Sequence, residues 1–221
     1  MRTGGRYTTY VACASTLLFA ILTAFVVAHR TDVIDRELIL SLRAAAAPWL
    51  TTVFLAVTFT SGRLAVPALL LFAFALYKRS GIRAASIYVG ACITAQAVDA
   101  LIKHEIGRVR PHGVSPRLTA AGGFAYPSAD AMLAVVIFGL GALMLSWTIR
   151  ARVMRLVAIA SSVLFVIAAA VARVYLGAHW PTDVLGGALA GIACAAFWLR
   201  ALPTISARIA PTIVEPLPTS P

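Results

Sequence analysis

His179 and Asp183 stand four residues apart, directly before and within the first turn that Pro181 opens. Proline suits the first position of a helix, where its missing amide hydrogen would have had no partner. A carboxylate so placed can accept the proton of one imidazole nitrogen, which fixes the tautomer and leaves the other nitrogen free to attack an electrophile. The same spacing also fits a surface histidine beside a helix-capping aspartate, and spacing alone gives the two readings equal weight.

Two further polar islands accompany this one, which spans residues 173–183 (RVYLGAHWPTD). Residues 103–111 (KHEIGRVRP) carry Lys103, Arg108 and Arg110, and residues 126–130 (YPSAD) carry Ser128 and Asp130. Lys103, Arg110 and Arg173 are strong cations beside long apolar runs, where ionisable groups are expensive and mark function. Guanidinium and ammonium groups in such a setting suit a phosphate or another compact anion. Ser128 reads as a helix cap whose neighbouring backbone amides face outward, a second feature suited to an anion, although Pro-Ser at a helix start is also common for structural reasons alone. Asp99 lies one turn before Lys103 and can position it by pairing. Arg108, His112 and Arg117 read as anchors to lipid headgroups.

The rest of the chain must position these islands, and its composition says how. Of 221 residues, 61% are hydrophobic and 12% charged, which is the profile of an integral membrane protein. Runs near the length of about 20 residues that a bilayer requires fall at about 8–28, 64–77, 84–102, 128–149, 156–171 and 181–198. The first is preceded by Arg2 and Arg6 but lacks a small-x-small cleavage site, so it reads as a retained helix instead of a signal peptide. Residues 31–43 read as a short helix at the membrane surface. Asp32, Asp35 and Glu37 crowd its start, Arg43 closes it, and Val33, Ile34, Leu38, Ile39 and Leu42 form one apolar side. Residues 48–60 read as a partly embedded helix. The expected fold is therefore all-α: six transmembrane helices with an interfacial helix after the first.

The net charge of +11 does not form a stripe on a soluble face, so nucleic acid is excluded as a partner. Basic residues in the amino terminus, the 78–83 loop, the 150–155 loop and residues 200–208 share one side of a six-span protein. By the positive-inside rule that side, with both termini, is cytoplasmic. The three polar islands share the other side, facing outward, and their clustering there instead of at the midplane argues against a transporter. Cys13, Cys92 and Cys194 lie inside apolar segments without metal-ligand spacing and read as small buried hydrophobes.

Taken together, the islands resemble the type 2 phosphatidic acid phosphatases, which share an active site with vanadium haloperoxidases and bacterial acid phosphatases. The family pattern is Lys-x6-Arg-Pro, then Pro-Ser-Gly-His, then Ser-Arg-x5-His-x3-Asp. Lys103, Arg110 and Pro111 match the first part, Pro127 and Ser128 the second, and Arg173, His179 and Asp183 the third. The resemblance covers about residues 84–199 and three ordered motifs, far more specific than any one of them.

The resemblance implies a phosphatase domain over residues 1–202, a Pro-rich disordered cytoplasmic tail at 203–221, and an enzyme needing neither metal nor cofactor. It implies that Lys103, Arg110, Ser128 and Arg173 bind the substrate phosphate, that His179 attacks phosphorus to form a phosphohistidine, and that Asp183 orients it. The substrate class is a lipid phosphate or a polyprenyl diphosphate in the cytoplasmic membrane, with membrane lipids as the surroundings. Three positions depart from the pattern. Ala172 replaces a serine and Ala129 a glycine, whereas Asp130 stands where the family has the histidine that protonates the leaving group. Alkoxide departure needs that proton far more than phosphate departure does, so Asp130 as a poor acid would favour a diphosphate substrate. The rival reading is a catalytically impaired membrane protein that binds lipid phosphates without turnover.

Overall fold

The computed structural model describes residues 3–200 except 115 and 120. Every regular element among them is helical. In chain order these are α1 (Thr3–Val27), α2 (Asp32–Ala44), α3 (Pro48–Gly62), α4 (Ala65–Ser80), α5 (Ile82–Ile106), α6 (Ala129–Ala134), a π-helical turn (Val135–Leu140), α7 (Gly141–Ser146), α8 (Arg152–Tyr175) and α9 (Pro181–Leu199). The expected tail at 203–221 lies outside the described residues.

Hydrophobicity dictates this arrangement from the outside inward. Leu17, Leu71, Phe74, Leu164 and Phe197 are exposed, whereas Asp35, Ser128, His179 and Asp183 are buried. A chain that turns apolar side chains outward and polar ones inward suits lipid as its solvent, because hydrocarbon offers no partner to a polar group. Among the described residues, five helical stretches are long and apolar enough to cross a bilayer: Arg6–Val27, Ile82–Ile106, Ala129–Ser146, Arg152–Tyr175 and Pro181–Leu199. α3 and α4, bent by 56° at their junction, supply the sixth crossing together. α4 alone has 16 residues, about 24 Å at 1.5 Å per residue, which is short of a hydrocarbon core of about 30 Å. The chain is therefore a multi-pass membrane protein, and the expected second span is completed by the segment expected to be only partly embedded.

The span from Ala129 to Ser146 is continuous but not uniformly α-helical. In its π-helical turn the carbonyls of Ile137 and Phe138 accept bonds from Tyr88 Oη at 3.1 Å and Ser162 Oγ at 2.8 Å. Neighbouring helices thus satisfy backbone groups that a widened turn presents sideways, as the interior of a membrane requires.

α2 forms where expected, and its packed face carries a carboxylate. Val33, Ile34 and Leu38 are exposed, while Thr31, Asp35 and Ile39, spaced by four residues, are buried. A carboxylate replaces an aliphatic residue on the packed side because it has strong partners there, described below. Cys92 and Cys194 are buried as expected, whereas Cys13 is exposed.

α9 is the spine of the bundle, packing along α1, α5 and α6. Its approach to α6 depends on small residues. A Cβ at Gly187 would stand 2.3 Å from the Ser128 carbonyl oxygen, and one at Gly191 would stand 2.8 Å from that of Met132. Missing side chains at these positions let the start of α9, with His179 and Asp183, lie against the Tyr126–Asp130 turn.

Gly187→Ala should therefore lower the unfolding temperature in detergent, by an overpacking cost of about 1–3 kcal/mol. Gly139→Ala should be near neutral, because its new methyl would meet Val166 at an ordinary 3.9 Å. Equal thermal stability of the two variants would refute the close-approach argument.

Candidate active site

Four segments deliver the site. α5 ends on Gly107, whose φ of 62° is left-handed and whose amide bonds the Lys103 carbonyl. Glycine adopts that conformation without the Cβ penalty, so the helix stops one turn after Lys103 and releases Arg108 and Arg110 into the loop. Ser128 caps α6, its Oγ accepting from the Ala131 amide at 3.4 Å. Arg173 lies in the last turn of α8. His179 precedes α9, and Asp183 reaches back from the first turn to accept from the Trp180 amide at 2.8 Å.

The structure gathers all seven expected site residues into one connected cluster. Arg110 Nη1 lies 3.0 Å from His179 Nε2. Arg173 Nη2 lies 3.0 Å from Asp130 Oδ2, which is itself 3.9 Å from His179 Nε2. The Ser128 amide donates to the Asp183 carbonyl at 2.9 Å. Lys103 pairs with Asp99, as expected, and joins the cluster through the Pro127 carbonyl at 2.8 Å. Two of the ammonium hydrogens are thus used and a third is left to a ligand.

His179 is 1% exposed, and the bonds around it define its tautomer. Nδ1 donates to the Ala125 carbonyl at 2.9 Å, so Nε2 carries the lone pair and accepts from Arg110. The expected Asp183–His179 hydrogen bond is absent: Asp183 Oδ2 stands 3.6 Å from Nδ1. The reason is that the Ala125 carbonyl takes the Nδ1 proton, while Asp183 Oδ2 accepts from the Trp180 amide and Oδ1 accepts from Arg108 at 2.7 Å. Burial lowers the His179 pKa below its ordinary value, and Arg110 and Arg173 push the same way while Asp183 opposes them. Burial thus favours the neutral ring, the form that a nucleophilic imidazole needs.

The three cations stand in different states. Arg173 has a buried Nε–H without a hydrogen-bond partner and a single carboxylate partner in Asp130. A buried donor left unpaired is unfavourable, and an anion oxygen beside it would relieve that. Arg110 is the opposite case. Its five N–H groups are committed to the carbonyls of Gly122, Gly123, Phe124 and Ala178 and to His179. It organises the loop and can meet an anion only by exchanging one of those bonds. Asp130 sits where a bound anion's oxygen would sit, between Arg173 and His179.

Arg108 and Asp35 belong to the same cluster, contrary to the headgroup-anchor reading of Arg108. The Arg108 side chain is only 11% exposed and that of Asp35 is fully buried. Arg108 donates to Asp183 Oδ1 and Asp35 Oδ2, both at 2.7 Å, and to Thr182 Oγ1 at 2.8 Å. Burial works against the Arg108 charge, but Asp183 and Asp35 outweigh it and raise its pKa. The signal missed in the sequence was a pair of opposite charges on separate islands, which no local spacing connects. Of the other two proposed anchors, Arg117 is exposed and donates to the Ala121 carbonyl at 3.1 Å, while His112 folds back onto the Arg110 carbonyl.

A helical membrane bundle with a buried cation–imidazole–carboxylate cluster at one end of its spans is the class these features define. Residues 84–206 match the model of the PAP2 superfamily, and the chain belongs to that superfamily. Its fold is similar to that of the transmembrane PAP2 type phosphatidylglycerolphosphate phosphatase from Bacillus subtilis. The TM-score is 0.77 at 22% identity, over 87% of this chain and 94% of that one. It is also similar to LpxE of Aquifex aeolicus, with a TM-score of 0.60 at 23% identity, over 74% of this chain and 93% of that one. No curated protein sequence matches the chain.

The geometry makes an anion-binding prediction. Arg173→Ala should weaken inorganic phosphate binding roughly 10- to 100-fold, the usual range for a hydrogen bond to a charged group. Asp130→Asn should tighten it, because the competing carboxylate charge is gone. Titration calorimetry in detergent checks both, and weaker binding by Asp130→Asn would contradict the competition.

Proposed function

We propose that the chain is a lipid phosphatase that hydrolyses a lipid phosphate or polyprenyl diphosphate through a phosphohistidine on Nε2 of His179. Residues 1–202 form the catalytic domain, both termini lie in the cytoplasm, and the site faces outward from the cytoplasmic membrane. The basic loops at 78–83 and 150–155 support that orientation. One observation carries the chemical reading. A neutral imidazole, its Nδ1–H tied to a backbone carbonyl, turns Nε2 toward Arg110 and toward Asp130, which pairs with Arg173.

The steps follow from these contacts. Phosphate oxygens take the place of the Asp130 carboxylate at Arg173 and satisfy its free Nε–H. They draw Arg110 Nη1 away from Nε2, and Lys103 and the Ser128 hydroxyl supply further donors. Nε2 then attacks phosphorus as the bond to the leaving oxygen breaks, and positive charge grows on the ring beside Asp183. The guanidinium and ammonium groups stabilise the charge on the transferring phosphoryl oxygens. Water attacks the phosphohistidine and releases inorganic phosphate. These donors are the protein's own, so residues alone carry the charge stabilisation.

Asp130 divides the substrates. An alkoxide leaving group needs a proton, and Asp130 in its carboxylic acid form, 3.9 Å from the attacking nitrogen, is the residue placed to give it. A phosphate leaving group departs with far less help. Hence Asp130→Asn should slow hydrolysis of a phosphate monoester lipid more than that of a polyprenyl diphosphate. Equal losses on the two would remove Asp130 as the acid.

A second reading draws on that same contact. A carboxylate already paired with Arg173 suits a protein that binds lipid phosphates and does not turn them over. Labelled phosphate trapped on His179 during turnover, and lost in His179→Ala together with at least a thousandfold of the rate, would decide for the enzyme. Repeated failure to trap it with phosphatidic acid, phosphatidylglycerol phosphate and a polyprenyl diphosphate would decide for the binder.

The lowered His179 pKa has a sign that kinetics can check. A group whose charged form is disfavoured by folding stays neutral below its ordinary pKa of about 6.5. The acid limb of kcat/KM that reports deprotonated His179 should therefore fall below pH 6.5. A limb at or above that value would contradict the burial argument.

A further inference from the structure

We propose that Arg108 and Asp35 are positioning residues for the reaction at His179, holding the Asp183 carboxylate in place and fixing the net charge that the imidazole faces. α2, outside the spans and far away in sequence, thereby becomes part of the site.

The geometry is a chain of buried contacts. Asp35 Oδ2 accepts from Arg108 Nη2 at 2.7 Å, and Arg108 Nη1 donates to Asp183 Oδ1 at 2.7 Å. The other Asp183 oxygen, Oδ2, is the one that stands 3.6 Å from His179 Nδ1. Arg108 thus fixes the carboxylate by one oxygen and leaves the second facing the ring. Asp35 also grips the first turn of α9, accepting from the Thr182 amide at 2.9 Å and its hydroxyl at 2.6 Å. The Arg108 guanidinium lies 5.6 Å from the Trp180 ring centroid, a further restraint on its plane.

Charge explains why both partners are needed. Attack at phosphorus makes the imidazole positive, and Asp183 is its nearest carboxylate, at 3.6 Å against 3.9 Å for Asp130. Arg108 alone would neutralise Asp183 and take that support away. Asp35 restores the balance, so that the three buried groups together remain negative by one unit, with the half-exposed Asp32 at 3.5 Å from Arg108 Nη2 as an outer partner. The other charged groups facing the ring are Arg110 from the loop, Arg173 from α8, Asp130 from α6 and Asp99 from α5, the last paired with Lys103. None of them touches Arg108 or Asp35, and substitutions in the latter pair leave them in place.

The prediction is a pair of opposed shifts. Asp35→Asn makes the trio neutral and should lower the His179 pKa by about 1 unit, whereas Arg108→Gln makes it doubly negative and should raise it by a similar amount. The double variant has the wild-type net charge and should return close to the wild-type value. Arg108→Lys keeps the charge and should shift little. A purely structural role predicts no such sign pattern, since both single losses would loosen the same contact.

The experiment is ring titration of 13C-labelled histidine by NMR in detergent, with His179 assigned by its absence in His179→Gln, followed by the acid limb of kcat/KM for each variant. Opposed shifts and recovery in the double variant support the proposal. Shifts of the same sign, or no recovery, overturn it. If Asp35→Asn does not fold, Arg108→Gln against Arg108→Lys decides: equal pKa values overturn the proposal. The kinetic arm rests on the phosphatase reading, but the titration does not. Opposed shifts without turnover of any lipid phosphate would sink that reading and keep this one; turnover with same-sign shifts would do the reverse.

Discussion

Ions taken out of water and set at the end of an apolar bundle must satisfy one another, and this constraint shapes the protein from α2 to α9. A lone buried charge is unfavourable by several kcal/mol, whereas a well-bonded group of opposite charges is tolerated. Asp35, Arg108 and Asp183 form such a group, and Asp99 with Lys103 forms another. Arg110 achieves the same end with neutral partners, spreading its charge over backbone carbonyls of the loop at 122–124 and of Ala178. Arg173, with one carboxylate and one idle N–H, is the group left least satisfied. The anion site proposed above thus falls where the internal balancing of charge is incomplete.

The apolar part of the chain has the complementary task of holding these groups in register. Glycines at 187 and 191 bring the backbones of α9 and α6 into contact, and Tyr88 and Ser162 secure the widened turn that follows. Such packing is rigid, and rigidity is what a preorganised electrostatic site needs, because donors already in place do not have to be reordered during reaction.

How far the sequence revealed this depended on the distance over which each signal acts. Helices announce themselves locally: long apolar runs placed α1, α5, α8 and α9 within a few residues of their observed bounds. Motif spacing brought Lys103, Arg110, Ser128, Asp130, Arg173, His179 and Asp183 forward together, and the structure clusters all seven. What remained hidden was who bonds to whom. A helical wheel drawn for 31–43 gave no sign that Asp35 faces inward, because its partners Arg108 and Thr182 lie 73 and 147 residues away. The Asp183–His179 bond was expected because spacing alone pairs the two, and it is absent because only the folded structure brings the Ala125 carbonyl to Nδ1. The π-helical turn also had no local mark, being fixed by hydroxyls on two other helices.

The bond from Arg110 to Nε2 has a consequence for selectivity in time. If His179 is the nucleophile proposed above, Arg110 occupies its reactive lone pair, so neutral electrophiles and passing oxidants meet a masked nitrogen. Only a species negative enough to attract the guanidinium unmasks it. The target thus arms its own attacker, and reactivity is withheld from whatever lacks the charge to ask for it.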